Sequence, residues 1–431
     1  MGMRRYIVFF AMLLPSVLWA QEGVVTLRGR VTSAGRGVPY ATLQVLGTSV
    51  GVSCNDDGEY WLKVPAGSEA DTVAVRSVGY VPRRLTVGEL LRHGHVRLEA
   101  QEVQLQEVQV RSYRKARYLL RAAVGKIADN YHCRTAFGTF FYRDWRALDG
   151  ELYLFDEAVM GVTRRGYTWF GGKRSYLFDP TVREMATDYK SLLRHRLLVY
   201  DRRQLEHALD DPDGIDQRMG FDDNEVFFDP LTAPQACYAF SDRVLAWHEF
   251  EPVQEFVADG TVYYLVRSAG PASVPNAKVH YEYVIRRSDL AIVSITAVQR
   301  RVAMPAPQDA WVNVRYNRLV IDCDSSSWTY DLRCGRHTLT HYYNNRSLHL
   351  ENRSRTNEQH WQQCIDWTLT DFDTAAGALP ADTLVVRPQT LMGAFGESDY
   401  NADFWGRYNT VLIDTLPLRL LNEKLLLKKK P

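Results

Sequence analysis

Charge of one sign is scarce in this sequence: 52 Lys and Arg stand against 51 Asp and Glu, a net +1 over 431 residues. Nucleic acid is held by a basic excess, so the balance gives no electrostatic reason to expect it as a partner. Lys428–Lys430 form the one strong run of a single sign, and a solvated helix end accounts for it. Long apolar runs are lacking too. Past the first twenty residues no stretch reaches the roughly 20 apolar residues that a membrane helix needs. Cysteine is sparse: Cys54, Cys133, Cys237, Cys323, Cys334 and Cys364 make six, and even parity alone defines no disulfide framework. A turn expected at Ser325–Ser326 sets Cys323 opposite Trp328 and leaves Cys334 too far along for the ~7 Å Cα separation a bridge requires.

The first twenty residues have the layout of a secretory signal. Arg4 and Arg5 open it, Tyr6–Leu14 are wholly apolar, and Ala20 is the small residue before a cut that leaves Gln21 first. The apolar run is too short to span a bilayer. Leu18 occupies a position where a small residue is usual, so the cut can shift by a residue or two. No cysteine near the cut offers a handle for lipid attachment. The expected address is therefore export, to the periplasm or the outer-membrane region.

Residues 21–100 read as short strands punctuated by turns. Val24–Val31, Tyr40–Leu46, Glu59–Val64 and Asp71–Val78 are rich in β-branched and aromatic residues, broken at Gly35, Gly37–Pro39, Asp56–Gly58 and Pro65–Gly67. In Glu59–Val64, Tyr60, Leu62 and Val64 share one face and Trp61 and Lys63 the other, the period of a half-buried antiparallel strand. Asp57–Gly58 is a hairpin signal, because glycine accepts the positive φ of a tight turn. Several such strands make a β-sandwich.

Five motifs in this stretch carry a resemblance: Gly29-Arg-Val31, Gly37-Val-Pro-Tyr-Ala41, Gly47-Thr-Ser-Val-Gly51, Asp56-Asp-Gly-Glu-Tyr60 and Ser77-Val-Gly-Tyr80. In order and spacing, residues 24–99 resemble the carboxypeptidase-regulatory-like domain found at the front of many TonB-dependent receptors. The resemblance implies a seven-stranded, transthyretin-like sandwich without catalytic residues. Leu105-Gln-Glu-Val-Gln-Val110 resembles the segment that follows the module in those receptors. A whole receptor does not fit, since its barrel needs about 22 strands of 9–11 residues besides a plug, and roughly 320 residues remain.

Residues 101–112 are polar and read as a linker. From Tyr113 to Asn130 the period changes, and Ala116, Leu119, Leu120, Ala123, Val124 and Ile127 define one apolar helix face. Hairpins follow at Phe137–Trp145 with Leu152–Val159, around Asp149–Gly150, and at Val279–Ile285 with Ile292–Val298, around Ser288–Asp289. Trp311–Ile321, Ser327–Leu332 and His337–Tyr343 continue the meander. Ser191–Leu198 and Arg203–Leu209 read as short helices, and Val411–Leu427 as a closing helix broken by Pro417. Asn130-Tyr131, Phe141-Tyr-Arg-Asp144, Asp156-Glu-Ala-Val159 and Phe404-Trp-Gly-Arg-Tyr-Asn409 resemble uncharacterised envelope proteins with the same front module. The expected fold is mainly β: the sandwich, then a larger antiparallel β-rich domain at residues 113–431, similar to a lipoprotein-carrier half-barrel, with a few helices.

Residues able to carry chemistry each have a plainer role. Gly47-Thr-Ser49-Val-Gly51 has the spelling of a nucleophile elbow, but no helix follows to make the strained strand-to-helix turn. Cys323, Cys334, His337 and His341 have a zinc-like mixture. On a strand His337 and His341 lie about 13 Å apart, so they cannot share an ion and read as surface or half-buried polar positions. His248–Glu249 lacks a second histidine four residues on, and no His-x-x-Glu of the metallocarboxypeptidase type occurs. Asp156–Glu157 and Asp222–Asp223 are adjacent, point to opposite faces on a strand, and read as solvated turns. Tyr153, Tyr167, Trp169, Tyr176, Tyr342, Tyr343, Trp361 and Trp367 could line a sugar or lipid site, or simply pack a sheet. Asp71-Thr-Val73, Asp373-Thr-Ala375, Asp382-Thr-Leu384 and Asp414-Thr-Leu416 resemble O-glycan acceptor triplets.

The expectation is thus a non-catalytic envelope protein that binds a partner protein, glycan or lipid, with no catalytic, metal or cofactor residues assigned. Its rivals are an envelope hydrolase and a small outer-membrane barrel capped by the sandwich.

Overall fold

The computed structural model describes residues 23–48, 50–77, 80–100, 113–164, 166–167, 196–204, 229–232, 239–240, 246, 248–258, 260–269, 279–305, 318–351, 359–374, 385–386 and 402–412. The expected signal (residues 1–20), the linker (101–112), Ser49, Trp169, Tyr176, Asp222–Asp223, Cys237, the Asp382 triplet, and the closing helix and Asp414 triplet beyond residue 412 lie outside them.

The front module has β1 (Val24–Ser33), β2 (Arg36–Gly37), β3 (Thr42–Val45), β4 (Gly51–Ser53), β5 (Glu59–Pro65), β6 (Thr72–Arg76), β7 (Tyr80–Val81), β8 (Arg83–Thr86), helix α1 (Val87–Arg92), β9 (His95–Arg97) and β10 (Glu99–Ala100). Seven of these strands are three residues or longer. One sheet is β2-β1-β5 with β9 parallel on β1, the other β4-β3-β6-β8, and β7–β10 form a short ribbon. The alternation expected in β5 holds: Tyr60, Leu62 and Val64 are buried with Leu27, Val31, Leu43, Val73, Val75 and Val96. Gly29 lets β1 touch the turn at Gly94, because a Cβ there would lie 1.5 Å from the Gly94 carbonyl oxygen.

Two expectations need correcting here. The Asp57–Gly58 turn exists, with Gly58 at φ +78°, yet it is no hairpin, since β4 and β5 belong to different sheets. The Asn55 side chain shapes this crossover by accepting from the backbone N–H of Asp57 (3.2 Å) and Glu59 (2.8 Å). The stretch from Val24 to Glu99 is not all strand and turn: Thr86 and Glu89 cap α1 reciprocally, a T-x-x-E box.

The second region begins with α2 (Tyr113–Gly125) and α3 (Ile127–Asn130), one apolar face broken at Lys126. Ala116, Leu119, Leu120, Ala123 and Ile127 are buried as the period implied. Its strands are β11 (Ala136–Leu148), β12 (Glu151–Arg164), β13 (Arg196–Gln204), β14 (Glu249–Phe250), β15 (Gln254–Ala258), β16 (Thr261–Ala269), β17 (Val279–Arg286), β18 (Ile292–Pro305), β19 (Arg318–Arg333), β20 (Arg336–Glu351), β21 (Gln359–Asp373) and β22 (Val385–Val386), with helix α4 (Ala402–Arg407) near the end. They form a twelve-stranded sheet in the order β14-β16-β17-β18-β19-β20-β21-β11-β12-β13-β22, with β15 also on β16 and every pairing antiparallel. Among the described residues its two ends do not pair, so it stays open and is not the closed barrel of the rival reading.

The Asn130-Tyr131 motif fastens α3 to this sheet. Asn130 donates to the Asp289 carbonyl (2.9 Å), and the buried Tyr131 hydroxyl donates to the Ile292 carbonyl (2.5 Å). The helices expected across Ser191–Leu198 and Arg203–Leu209 give way at residues 196–204 to β13, which completes hydrogen bonds along β12. The turn expected at Ser325–Ser326 is absent as well. β19 runs straight through it, Cys323 lies opposite Ser347, and Trp328 lies opposite Tyr342. The reversal comes at Cys334–Gly335, where both residues take positive φ. Cys323 on β19 and Cys334 in the turn just past its end are both free and, along the extended chain, roughly 35 Å apart.

Candidate functional site

Side chains alternate between faces along each strand, so paired registers line up rows across the sheet. One row on the helix-bearing face runs Ala158, Tyr142, Trp367, Tyr342, Trp328, Ile295, Tyr283 across seven strands. All but Ala158 at one end and Ile295 between Trp328 and Tyr283 are aromatic, and all seven are buried in one core with α2 and α3.

Two residues further along, the same face turns polar. Asp156 lies opposite Asp144, followed across the strands by Ile365, Asn344 and Ser326. The next row holds Arg146, Gln363, Arg346 and Asp324. Arg146 reaches Asp144 through Nη2 at 2.6 Å, with both side chains at most 2% exposed. Gln363, with its amide oxygen turned to Arg146, accepts from Nε at 3.1 Å and Nη2 at 3.2 Å. Asn344 donates to Asp324 and Ser326 at 2.9 Å each, and Arg346 Nε donates to Asp324 at 3.0 Å. Beyond this belt the face is apolar again, with Leu348, Leu350 and Trp361 buried and the Trp361 indole donating to the Tyr153 hydroxyl at 2.6 Å.

Asp156 and Glu157 do point to opposite faces, but both are buried, which corrects the solvated-turn reading. Glu157 pairs with Arg143 at 2.6 Å on the other side of the sheet. There Arg143 also donates to the carbonyls of Val411 and Leu412. That face receives the sandwich. Tyr40 packs on Tyr343 (centroids 4.9 Å) and His341 (6.2 Å). The Phe404–Asn409 motif bridges the two regions. Lys63 Nζ donates to the carbonyls of Trp405 (2.7 Å) and Tyr408 (2.8 Å), while Asn409 exchanges two hydrogen bonds with the backbone of Lys63. Trp405 packs with Phe141, Val159 and Val411.

The zinc-like set is dispersed. An extra residue at Thr340 shifts the register of β20 against β19, so Tyr330 faces Leu339 while Thr329 faces His341. His337 thereby turns to the helix-bearing side and His341 to the sandwich side. His337 is buried rather than half-exposed. Its Nδ1 lies 3.2 Å from the Tyr330 carbonyl and its Nε2 2.9 Å from Arg286 Nη2, which makes Nε2 the acceptor. Burial, then the Arg286 charge, lowers its pKa. His341 bonds Asp366 at 3.1 Å.

The elbow motif sits between β3 and β4, antiparallel neighbours in one sheet, where a hydrolase would need a strand running into a helix. His248, set aside on sequence, makes a contact that the sequence hid: Nδ1 lies 3.1 Å from Ser268 Oγ, and both residues are buried. Burial, with lesser contributions from His280 and Arg117, lowers its pKa to about 4, so it is a weak base at neutral pH. Tyr167 accepts from the Leu339 N–H at 2.8 Å, a packing role.

One cluster had no signal in the sequence. His349 on β20 lies directly opposite His360 on β21, with ring centroids 5.4 Å apart. On β19 the register shifts between Ile321 and Cys323, and Asp322, the residue between them, bonds His349 Nδ1 at 2.9 Å. Glu351 accepts at the other ring nitrogen, 3.2 Å away, and holds Arg318 with its second oxygen. Burial opposes charge on His349, but the bonds to Asp322 and Glu351 and their negative charges outweigh it and raise its pKa.

Residues 27–110 match the family described as the CarboxypepD_reg-like domain. No curated protein matches the chain. Among solved structures, a LolA superfamily protein from Nitrosomonas europaea aligns at 12% identity and TM-score 0.20, over 62% of this chain and 94% of its own. A DUF1329 family protein from Desulfovibrio piger aligns at 10% identity and TM-score 0.25, over 62% and 94%. Lipovitellin aligns at 7% identity and TM-score 0.23, over 60% and 27%. Scores of this size do not establish a common fold, and these alignments assign the chain no ligand. No helix among the described residues is long and apolar enough to cross a membrane.

Proposed function

We propose that this is a non-catalytic exported protein of the cell envelope, whose large sheet holds an amphiphile of the lipid class against its helix-bearing face. The observation that carries the reading is the polar belt of Asp144, Arg146, Gln363, Asn344 and Asp324 set between an aromatic row and a second apolar zone. A core that serves stability alone gains little from buried ion pairs, because apolar replacements of similar volume are often neutral or more stable by about 1–4 kcal/mol. An amphiphile, by contrast, needs apolar walls for its chain and fixed polar groups for its head. The belt is open to solvent at Asp324 and Arg346, whose side chains are 19% and 14% exposed. The signal layout and the front module supply the envelope address.

Protein recovered from the envelope should begin at or near Gln21 and release a lipid on organic extraction, read by mass spectrometry. Replacing the pair together, Asp144→Leu with Arg146→Met, should keep the fold and abolish the bound lipid. Folded wild-type protein without lipid, or lipid held equally by the double variant, overturns the reading.

A hydrolase is the second reading, favoured by one feature: Asp144 and Asp156 lie opposite each other on neighbouring strands, where two acids can split their roles. Turnover of a peptide, ester or glycan that vanishes in Asp156→Asn would establish it.

A further inference from the structure

We propose that Asp322, His349 and His360 form a binding site for a divalent cation of the zinc class. One ligand atom from each of the three lies within 4.8 Å of the other two. Two imidazoles and one carboxylate are donors that such a cation takes, with the fourth position left to water.

Three features build the site. His349 and His360 are a direct cross-strand pair, so their side chains rise from the same face of adjacent strands. The irregular register at Asp322 brings its carboxylate to His349, a recognised use of bulges beside functional sites. Glu351 lies 3.2 Å from His349 Nε2 and can accept its proton, which leaves Nδ1 free to face Asp322 and the cation. A carboxylate behind a ligating histidine fixes the tautomer and strengthens the donor. Arg318 holds Glu351 by its other oxygen at 3.2 Å, so Glu351 positions the ring and does not itself ligate.

The backbone of His360 is pinned too. Its N–H donates to the Asp149 carboxylate at 2.7 Å, and its carbonyl accepts from the Asp149 N–H at 2.7 Å. The cation would replace the direct Asp322–His349 contact, and the two donors need to part only by a few tenths of an ångström to bind at about 2.0–2.2 Å each. Asp322 can move, being 41% exposed, and His360 is open to solvent, so a path of entry exists.

The test uses the tag-free full chain after removal of its leader, titrated with Zn2+ by calorimetry and with Co2+ by visible absorption. One equivalent should bind, with a Co2+ spectrum of low-coordinate N/O type. His360→Gln and Asp322→Asn should each abolish stoichiometric binding, while Glu351→Gln weakens it about 10–100-fold. His360 is exposed, so His360→Gln should melt as the metal-free wild type does, which separates loss of a ligand from loss of fold. Failure of the wild type to bind, or equal binding by His360→Gln and Asp322→Asn, overturns the proposal.

Discussion

The sandwich and the large sheet bury different things. Among the described residues of the sandwich, the buried polar side chains are Ser53 and Asn55, and Asn55 serves a crossover turn. Among the described residues, the second region buries five carboxylates: Asp144, Asp156, Glu157 and Asp366 on strands of the large sheet, and Asp229 beside it, bonded to Tyr330. An apolar core with polar turns is a solution for stability. Charges kept inside a sheet carry a desolvation cost of several kcal/mol per ion. Under the proposed function the two regions do different work, the sandwich as the mount and the sheet as the part that selects the ligand.

The largest expected effect breaks the sheet at the buried Arg143–Glu157 pair. Glu157→Ala strands Arg143, 5% exposed, and should cost about 3–5 kcal/mol in chemical denaturation. The matched apolar double, Arg143→Met with Glu157→Leu, should recover much of that loss. No sandwich surface pair should behave this way; Arg30–Asp57, about 40% exposed on both sides, is a suitable control.

Acidification should separate the regions next. The folded pKa of His248 is depressed to about 4 from 6.5, so its contribution to stability is complete above pH 6.5 and is lost as pH falls toward 4. The full window amounts to roughly 3 kcal/mol. The groups around this ring are Ser268, Tyr281, Arg117 and His280. His248→Gln should flatten the stability–pH curve over that range, leaving the slope due to His337, which is also depressed. An unchanged slope would mean that the ring is already solvated.

The clamp between the regions comes third. Proteolysis within residues 101–112 should nick the chain, and the sandwich should remain bound through Lys63 and the Phe404–Asn409 motif during gel filtration. Asn409→Ala removes two hydrogen bonds to the Lys63 backbone, about 1–3 kcal/mol, and should let the nicked sandwich dissociate. Prompt release from the unmutated protein would show the two parts to be energetically separate. The smallest effect is expected inside the sandwich. Tyr60→Phe loses a bond to the Gly94 carbonyl (2.9 Å), which keeps a second donor in the Arg30 N–H, so the cost should be about 1 kcal/mol.

Period and punctuation were readable without coordinates. The alternation of Tyr60, Leu62 and Val64, the face of Ala116 to Ile127, the Asp149–Gly150 turn and the five motifs of the front module each depend on residues close in sequence. Local chemistry determines such features: a glycine takes a positive φ, and an apolar face must be covered. Tertiary structure alone decided which side chains meet. β11 pairs with β21 across more than two hundred residues, and that pairing brings Arg146 to Gln363 and Tyr142 to Trp367. The extra residue at Thr340 parts His337 from His341, and the irregularity at Asp322 joins it to His349 and His360. A one-residue shift of register turns a side chain to the opposite face yet needs no distinctive residue to do so. The sequence could therefore name its strands and their apolar faces, while the belt and the histidine cluster existed only once the strands had paired.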